Sequence, residues 1–163
     1  MLQLGGSKRR DRWVRPFIRC CKKNDKCVEA GMNEKMSDTP RGSLTVRTLT
    51  MPADANPNGD IFGGWVVGHM DQAGGIAGVE RAKGPVVTMA IDAMTFIKPI
   101  RVGDVLEVYT EIESVGRTSM KIHIEAWAQR CQTYRRDKVT DARFTFVHVG
   151  DDGRPRAVPS EEL

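Results

Sequence analysis

Hydrophobic and polar residues alternate along two stretches in the second half of the chain, residues 106–113 and residues 120–127. A period of two residues places one side of an extended strand against a core and the other side toward solvent. Gly116 and Arg117 separate the two stretches, which predicts a tight connection between antiparallel neighbours. Residues 44–51 and 141–149 have a similar composition and predict a first and a last strand.

The segment from Val86 to Ile97 lacks this alternation, because it is apolar on both faces. Such a pattern is typical of a strand that is buried on both sides, so we expect Val86–Ile97 to lie in the centre of a sheet. Residues 130–138 are polar and predict a hairpin loop before the last strand. On the polar face of the strand at residues 120–127, we expect His123 to be exposed.

A helical pattern runs from the glycine pair Gly63-Gly64 to about Ala82, after a loop rich in Asp, Asn, Pro and Gly. Helical spacing brings five of its residues to one face: Gly64, Gly68, Asp71, Gly75 and Gly78. Each interior glycine costs a helix roughly 1 kcal/mol relative to alanine, so we expect another element to press closely on this face.

The predicted order of elements is one strand, one long helix and four further strands. A helix of this length must bury one side, and strands joined mostly by hairpins form an antiparallel sheet. The sequence therefore predicts an α+β domain in which one helix packs against a five-stranded antiparallel sheet. We place this domain at residues 43–163, a length that suits a single core.

Charge is distributed unevenly along the chain. The net charge of the whole chain is +4, but residues 1–36 alone carry ten Lys or Arg and four acids. The remaining residues are therefore slightly acidic. We interpret residues 1–42 as a basic, disordered extension. Lys8–Arg19, with Trp13 and Phe17 interleaved, offers an alternative as a nucleic-acid contact, which we consider the weaker hypothesis.

Composition also argues against several other classes of protein. Cys20, Cys21 and Cys27 lack zinc-finger spacing and have no histidine nearby, so we expect no metal site. No apolar run approaches the ~20 residues of a membrane span, and no apolar stretch follows the basic N-terminus as in a secretion signal. We therefore expect a soluble cytoplasmic protein with no membrane partner.

Candidate chemistry concentrates around the predicted helix. Asp71 lies in its middle, where the residues three and four positions away offer it no basic partner. The free N–H groups around Gly63 and Gly64, at the positive end of the helix dipole, suit a developing oxyanion. Asp60 lies just before them, and its alternative role is that of an ordinary helix N-cap.

Several separated motifs occur in an order that resembles the hotdog-fold acyl-CoA thioesterases of the YciA type. The motifs are Arg47-Thr48-Leu49-Thr50-Met51-Pro52, Asn58-Gly59-Asp60-Ile61-Phe62-Gly63-Gly64-Trp65, Met70-Asp71 and Phe96-Ile97-Lys98-Pro99-Ile100. The resemblance implies a central helix wrapped by an antiparallel sheet, and two subunits that join their sheets edge to edge. It also implies a homohexamer built as a trimer of dimers, with active sites at the dimer interfaces.

The resemblance assigns roles to individual residues. Asp71 matches the catalytic carboxylate, Asp60 matches a loop position supplied by the other subunit, and the N–H groups around Gly63 and Gly64 match the carbonyl-binding site. Segment 115–119 resembles the part that contacts the phosphates of coenzyme A. The candidate substrate-binding residues are Asn58, Lys98, Arg117, Thr118 and Ser119.

Thioester hydrolysis then needs no metal ion and no cofactor. Asp71 acts as general base on a water molecule, or attacks the thioester directly through an anhydride. A serine hydrolase is disfavoured because no Gly-x-Ser-x-Gly motif occurs. A dehydratase would need a histidine beside the acid, but His69 is two residues from Asp71 and points elsewhere.

The remaining alternative is a non-catalytic module that binds acyl-CoA. We favour the enzyme, because a carboxylate beside the thioester contributes nothing to the simple binding of a polyanion.

Overall fold

The computed structural model describes residues 39–160. The predicted extension at residues 1–42 therefore lies almost wholly outside the described residues. The elements are β1 (Ser43–Leu49), a short 3₁₀ turn (Pro52–Asp54), α1 (Gly63–Ala82), β2 (Val86–Ile91), β3 (Val105–Val115), β4 (Ser119–Gln129) and β5 (Arg136–His148). All strand pairs are antiparallel, in the order β1-β3-β4-β5-β2. The predicted packing of one long helix against a five-stranded antiparallel sheet is confirmed.

The core lies between α1 and one face of the sheet. Alternate residues of the long strands are fully buried there, among them Ile122, Ile124, Phe144 and Phe146. The helix contributes Val66, Met70 and Ala73, which return to one side at helical spacing. The pattern of two-residue alternation that predicted β3 and β4 thus reports a real core face.

The helix approaches the sheet most closely at Gly74. A Cβ built there would lie 2.5 Å from the ring of Phe146 and 2.7 Å from Ile124, so only glycine fits. At Gly64, Gly68 and Gly75, by contrast, a Cβ would meet nothing within 4 Å. At Gly78 a Cβ would lie 3.1 Å from Val86, so the expectation that another element presses on the glycine face is confirmed at Gly78 and wrong at the other three glycines.

The prediction for Val86–Ile97 is also wrong. Strand β2 ends at Ile91, and it is an edge strand that pairs with β5 and leaves its other edge open. Its apolar side chains are exposed, with Met89 at 65%. The apolar pattern correctly indicated side chains that are favourable to bury. It could not show that no other element within the described chain covers them.

The hairpin loop predicted for residues 130–138 is shorter, because β5 already begins at Arg136.

The face of the sheet opposite the helix carries buried polar side chains. Glu107 is fully buried and forms salt bridges with Arg47 and Arg136 at 3.3 and 2.9 Å. His123 is 5% exposed, and its Nε2 lies 3.1 Å from Asp141 Oδ2. The prediction that His123 is exposed is therefore wrong, because polarity on a strand face does not exclude burial when a hydrogen-bond partner is present.

Within residues 39–160, no helix has the length and hydrophobicity that crossing a membrane would require. The same part of the chain holds no group of three or more His, Cys, Asp or Glu side chains placed to bind a metal ion.

Candidate active site

Helix α1 begins without a side-chain cap. Its N-cap is Phe62, which has no side-chain capping hydrogen bond, and the N–H groups of Trp65 and Val66 donate to the Phe62 carbonyl at 3.1 and 3.3 Å. The N–H groups of Gly63 and Gly64 have no hydrogen-bond acceptor among the described residues. They lie at the positive end of the helix dipole and can donate to an oxyanion. The alternative in which Asp60 caps the helix is wrong.

Phe96 packs against the start of the helix. A Cβ built at Gly63 would lie 3.2 Å from two atoms of the Phe96 ring, so a side chain there would displace the ring. This contact explains why the first helical residue is glycine. It also connects the motif at residues 96–100 to the one at residues 58–65.

Asn56 organises the loop that precedes the helix. Its side-chain oxygen accepts hydrogen bonds from the N–H groups of Asn58 and Asp60 at 2.9 and 3.2 Å, and its own N–H donates to the Asp60 carbonyl at 2.7 Å. Gly59 completes the turn with a φ of +87°, which favours glycine. Sequence reasoning missed Asn56, although an asparagine that bonds to the backbone a few residues ahead is a known turn signal.

The loop leaves its polar side chains available. Asp60 is half-buried, and the structure gives its carboxylate no hydrogen-bond or salt-bridge partner in the described part of the chain. Asn58 is exposed at the turn. The loop backbone is attached to the segment before β3. Ile61 N–H donates to the Ile100 carbonyl at 2.8 Å, and the backbones of Asp60 and Arg101 pair in an isolated antiparallel β-bridge.

A network of ion pairs holds that segment in turn. The guanidinium of Arg130 donates to Asp137 Oδ2 and Asp104 Oδ2, both at 2.7 Å, and to the Pro99 carbonyl at 2.9 Å. Lys98 Nζ lies 2.8 Å from Asp137 Oδ1, so the ammonium group predicted to bind substrate already has a carboxylate partner. Burial alone would raise the pKa of Asp137, but the hydrogen bonds from Lys98 and Arg130 outweigh it and lower this pKa from its ordinary value of 3.8.

Asp71 lies in the middle of α1, on the side that faces strand β2. The hydroxyl of Thr88 donates to Asp71 Oδ1 at 2.6 Å. Thr88 stands where the β2–β5 register shifts, between Thr88 and Ala90. Sequence reasoning missed Thr88, because nothing in the local pattern indicates a contact between residues in different elements.

Open space surrounds Asp71 along the helix. Gly68 and Gly75, three residues before and four after it, have no heavy atom within 4 Å of where a Cβ would be. His69 takes no part in this region: its Nδ1 lies 2.9 Å from the Trp65 carbonyl and its ring stacks on Trp65 at 4.0 Å. The prediction that His69 and Asp71 point to different sides is confirmed.

The segment Arg117–Ser119 lies in the turn between β3 and β4. Gly116 N–H donates to the Ser119 carbonyl at 2.7 Å to close this turn, and the Thr118 carbonyl accepts from His148 N–H at 2.9 Å. His148 in turn pairs with Val86, just past the C-terminal end of the helix. These predicted phosphate-binding residues therefore lie at the C-terminal end of α1.

One chain does not bring all the candidate residues together. Helix α1 has 20 residues and spans about 30 Å, with the Gly63–Gly64 amides at one end, Asp71 in the middle and the Arg117 turn at the other end. The structure groups Asp60, Gly63 and Gly64 at the N-terminal end, near Asn58 and Lys98. It groups Arg117, Thr118 and Ser119 at the opposite end, and it places Asp71 with Thr88 between them.

Comparison with known proteins gives a consistent picture. Residues 58–134 match the family model of the thioesterase superfamily. The acyl-CoA thioester hydrolase YciA of Escherichia coli K12 is 46% identical over 127 residues, which cover 76% of this chain and 96% of that protein.

Two solved structures have the same architecture. A hexameric thioesterase from Yersinia pestis is 48% identical, with a TM-score of 0.72 over 75% of this chain and 99% of that one. A hexameric hotdog-fold thioesterase of Campylobacter jejuni is 36% identical, with a TM-score of 0.68 over 72% and 91% of the two chains.

Proposed function

This chain belongs to the YciA-type, hotdog-fold acyl-CoA thioester hydrolases of the thioesterase superfamily, and we propose that Asp71 activates the water that cleaves its substrate, at a site shared by two protomers. The family and the fold predicted from the sequence motifs are confirmed by these relatives. The roles of individual residues and the sharing of the site are the proposal.

The observation that carries the proposal is the orientation of Asp71. The Thr88 hydroxyl donates to Oδ1, so the carboxylate is held while Oδ2 stays available to accept a proton. The adjacent glycine positions leave space for a substrate beside this oxygen. A carboxylate that only stabilised the helix would need neither a fixed orientation nor an open approach.

The proposed reaction proceeds by attack of water on the thioester carbonyl carbon. Asp71 accepts a proton from the water, and the N–H groups of Gly63 and Gly64 stabilise the negative charge on the carbonyl oxygen. The carbon–sulfur bond then breaks, and the proton returns from Asp71 to the sulfur of coenzyme A. Direct attack by Asp71, with an anhydride that water later hydrolyses, would use the same groups.

Two features support a site built from two protomers. The Gly63–Gly64 amides lie at the end of the helix, about two turns from Asp71, and the Asp60 carboxylate has no partner within residues 39–160. Strand β2 presents an open edge with exposed Val87, Met89 and Ile91. Antiparallel pairing of two β2 edges about a two-fold axis would bury these side chains and place the helix start of one protomer near Asp71 of the other.

The same pairing leads to the proposed roles of the remaining residues. Asp60 of the partner subunit would complete the site around Asp71, with Asn58 beside it. Arg117, Thr118 and Ser119 would bind the phosphates of coenzyme A, since arginine forks and hydroxyl groups suit phosphate oxygens. We further propose a hexamer of three such dimers, as the hexameric relatives suggest.

Release of free thiol from a panel of acyl-CoA substrates tests the catalytic proposal. We expect Asp71→Asn to lower kcat by about 10²- to 10⁴-fold, the usual loss when a general base is removed. Its melting temperature should match that of the wild type. Glu80→Gln is the matched control, because it removes an exposed carboxylate from the same helix. Equal, negligible release by wild type and Asp71→Asn would instead support the acyl-CoA-binding module.

Subunit complementation tests whether the site is shared. Protomers carrying Asp71→Asn and protomers carrying Asp60→Asn are tagged differently, combined, and purified as mixed dimers. If Asp60 acts across the interface, each mixed dimer has one intact site and regains about half of the wild-type activity. If mixed dimers stay as inactive as the two parents, Asp60 and Asp71 act within one chain and the shared site is wrong.

A further inference from the structure

The residues after β5 turn back and pack beside the β3–β4 turn. This return segment, residues 154–159, begins with a bridge between Val149 and Pro155. Arg156 N–H donates to the His148 carbonyl and Val158 N–H donates to the Arg117 carbonyl, both at 2.9 Å. The return segment therefore holds Arg156 next to the turn that carries Arg117, Thr118 and Ser119.

The side chain of Arg156 lies on the bare backbone of Gly150. A Cβ built at Gly150 would overlap Arg156 Nε and would lie 2.6 Å from its Cζ, so the guanidinium occupies the space that any side chain would need. Gly150 is buried by this arrangement although it lies in a surface turn. Arg156 itself is exposed, so its guanidinium rests against this glycine at the surface of the protein.

This guanidinium has no acidic partner within residues 39–160, and neither does that of Arg117. Other basic residues of the domain do: Arg130 bonds to two aspartates, Arg143 to Glu113, and Lys138 to Glu125. Arg117 and Arg156, with the Thr118 and Ser119 hydroxyls, therefore define a candidate basic region, since Val158 N–H bonds the return segment to the Arg117 carbonyl. Its donors match an oxyanion that can accept from several groups at once.

We propose that Arg156, seated on Gly150, binds a phosphate of the nucleotide part of coenzyme A together with Arg117. This inference rests on the proposed function and extends its phosphate-binding site from the β3–β4 turn to the return segment. Phosphate esters are the anions of this substrate, and arginine binds them through two parallel hydrogen bonds. The guanidinium presents its donors in a fixed planar fork, so little freedom is lost for each hydrogen bond that it forms.

Steady-state kinetics of the full-length enzyme with three substrates tests this role. The substrates carry the same acyl group on coenzyme A, on 3′-dephospho-coenzyme A and on pantetheine, which lacks the nucleotide phosphates. We expect Arg156→Gln to raise KM for acyl-CoA about tenfold, as the loss of a charge-assisted hydrogen bond implies, with kcat within about twofold of wild type. Arg156→Lys should recover part of the loss. With acyl-pantetheine, no variant should differ from wild type.

Gly150→Ala provides a second variant that keeps the charge. Its φ is not in the positive region, so alanine strains no backbone angle, but the new methyl group must displace the guanidinium. We expect a smaller rise in KM for acyl-CoA than in Arg156→Gln. Arg143→Gln is the control, because it removes an arginine that is already paired with Glu113.

Comparison of the two coenzyme A substrates identifies the phosphate. A penalty of Arg156→Gln that disappears with 3′-dephospho-coenzyme A assigns Arg156 to the 3′-phosphate, and a penalty that persists assigns it to the pyrophosphate. An equal penalty on acyl-CoA and acyl-pantetheine, or an unchanged KM in Arg156→Gln, would overturn the inference. Absence of thiol release by the wild type would instead overturn the proposed function itself.

Discussion

The two ends of helix α1 use basic residues in opposite ways. At the N-terminal end, Arg130 and Lys98 are bonded to Asp104 and Asp137 in a partly buried network. At the C-terminal end, Arg117 and Arg156 have no acidic partner in the described part of the chain. Their charge therefore stays available to an anionic ligand, whereas the charge of Arg130 is neutralised within the fold.

The difference shows that the partners of an arginine, and not its presence in a motif, indicate its role. Asp104 is 5% exposed and also accepts hydrogen bonds from the N–H groups of Arg101 and Cys131. Its carboxylate thus joins three segments of the chain, and Arg130 balances its charge. We interpret the N-terminal network as a device that positions the loop carrying Asp60 and the start of the helix.

Of the changes proposed for the two ends of helix α1, removal of the Arg130 guanidinium should have the largest effect, and it should act on the stability of the protein. Arg130→Met leaves Asp104 buried without a balancing charge, so we expect the free energy of unfolding to fall by about 3 kcal/mol. Urea denaturation followed by circular dichroism measures the loss. Arg130→Lys should restore part of it, because lysine keeps the charge but not the forked geometry. The control Arg143→Met breaks an exposed ion pair and should leave the unfolding transition nearly unchanged. Equal losses in the two Met variants would contradict a positioning network.

Acid should also reduce the stability that the network at the N-terminal end provides, by less than the loss of Arg130 does. Since the pKa of Asp137 in the folded state is lowered from 3.8, its contribution to stability is complete above that pH and is lost as the pH falls through the lower, folded value. We expect Asp137→Asn to reduce the stability of the protein at neutral pH and to make its further loss below about pH 4 less steep. Denaturation curves measured across this range check the prediction.

Asp151 provides the matched control at the other end of the helix. It is exposed in the turn after β5, and Asp151→Asn should leave both the stability and its dependence on pH as in the wild type. The same change of slope in both variants would mean that the Asp137 network has no special role in the acid response.

Salt should produce the smallest effect. We expect it to weaken substrate binding by the arginines at the C-terminal end of the helix. Exposed arginines are screened when the ionic strength rises, so we expect KM for acyl-CoA to increase a few-fold between about 0.05 and 0.5 M NaCl. The midpoint of urea unfolding should change little, because partly buried ion pairs are screened less. Acyl-pantetheine is the control substrate, and an equal rise in its KM would show that the effect does not come from the phosphates.

Much of the fold could be predicted from local patterns. Helix α1 occurs where the glycines at helical spacing predicted it, and β3 and β4 occur where the two-residue alternation predicted them, because that alternation reports which side of a strand is apolar. The motifs also predicted the family, which the similar proteins confirm. Free N–H groups at the helix start were also predicted, and those of Gly63 and Gly64 have no acceptor within the described residues.

The tertiary structure decided the contacts between residues that are far apart in the sequence, which no local periodicity can predict. The hydroxyl of Thr88 meets Asp71 across 17 positions of sequence, Gly74 and not the glycine face around Gly68 contacts the core, and His123 is buried beside Asp141. Sequence by itself determined which elements form and which family they belong to, because these depend on short-range pattern and on motifs. Which strand lies at the edge, and which charges are neutralised, depends on neighbours that only the folded chain brings into contact.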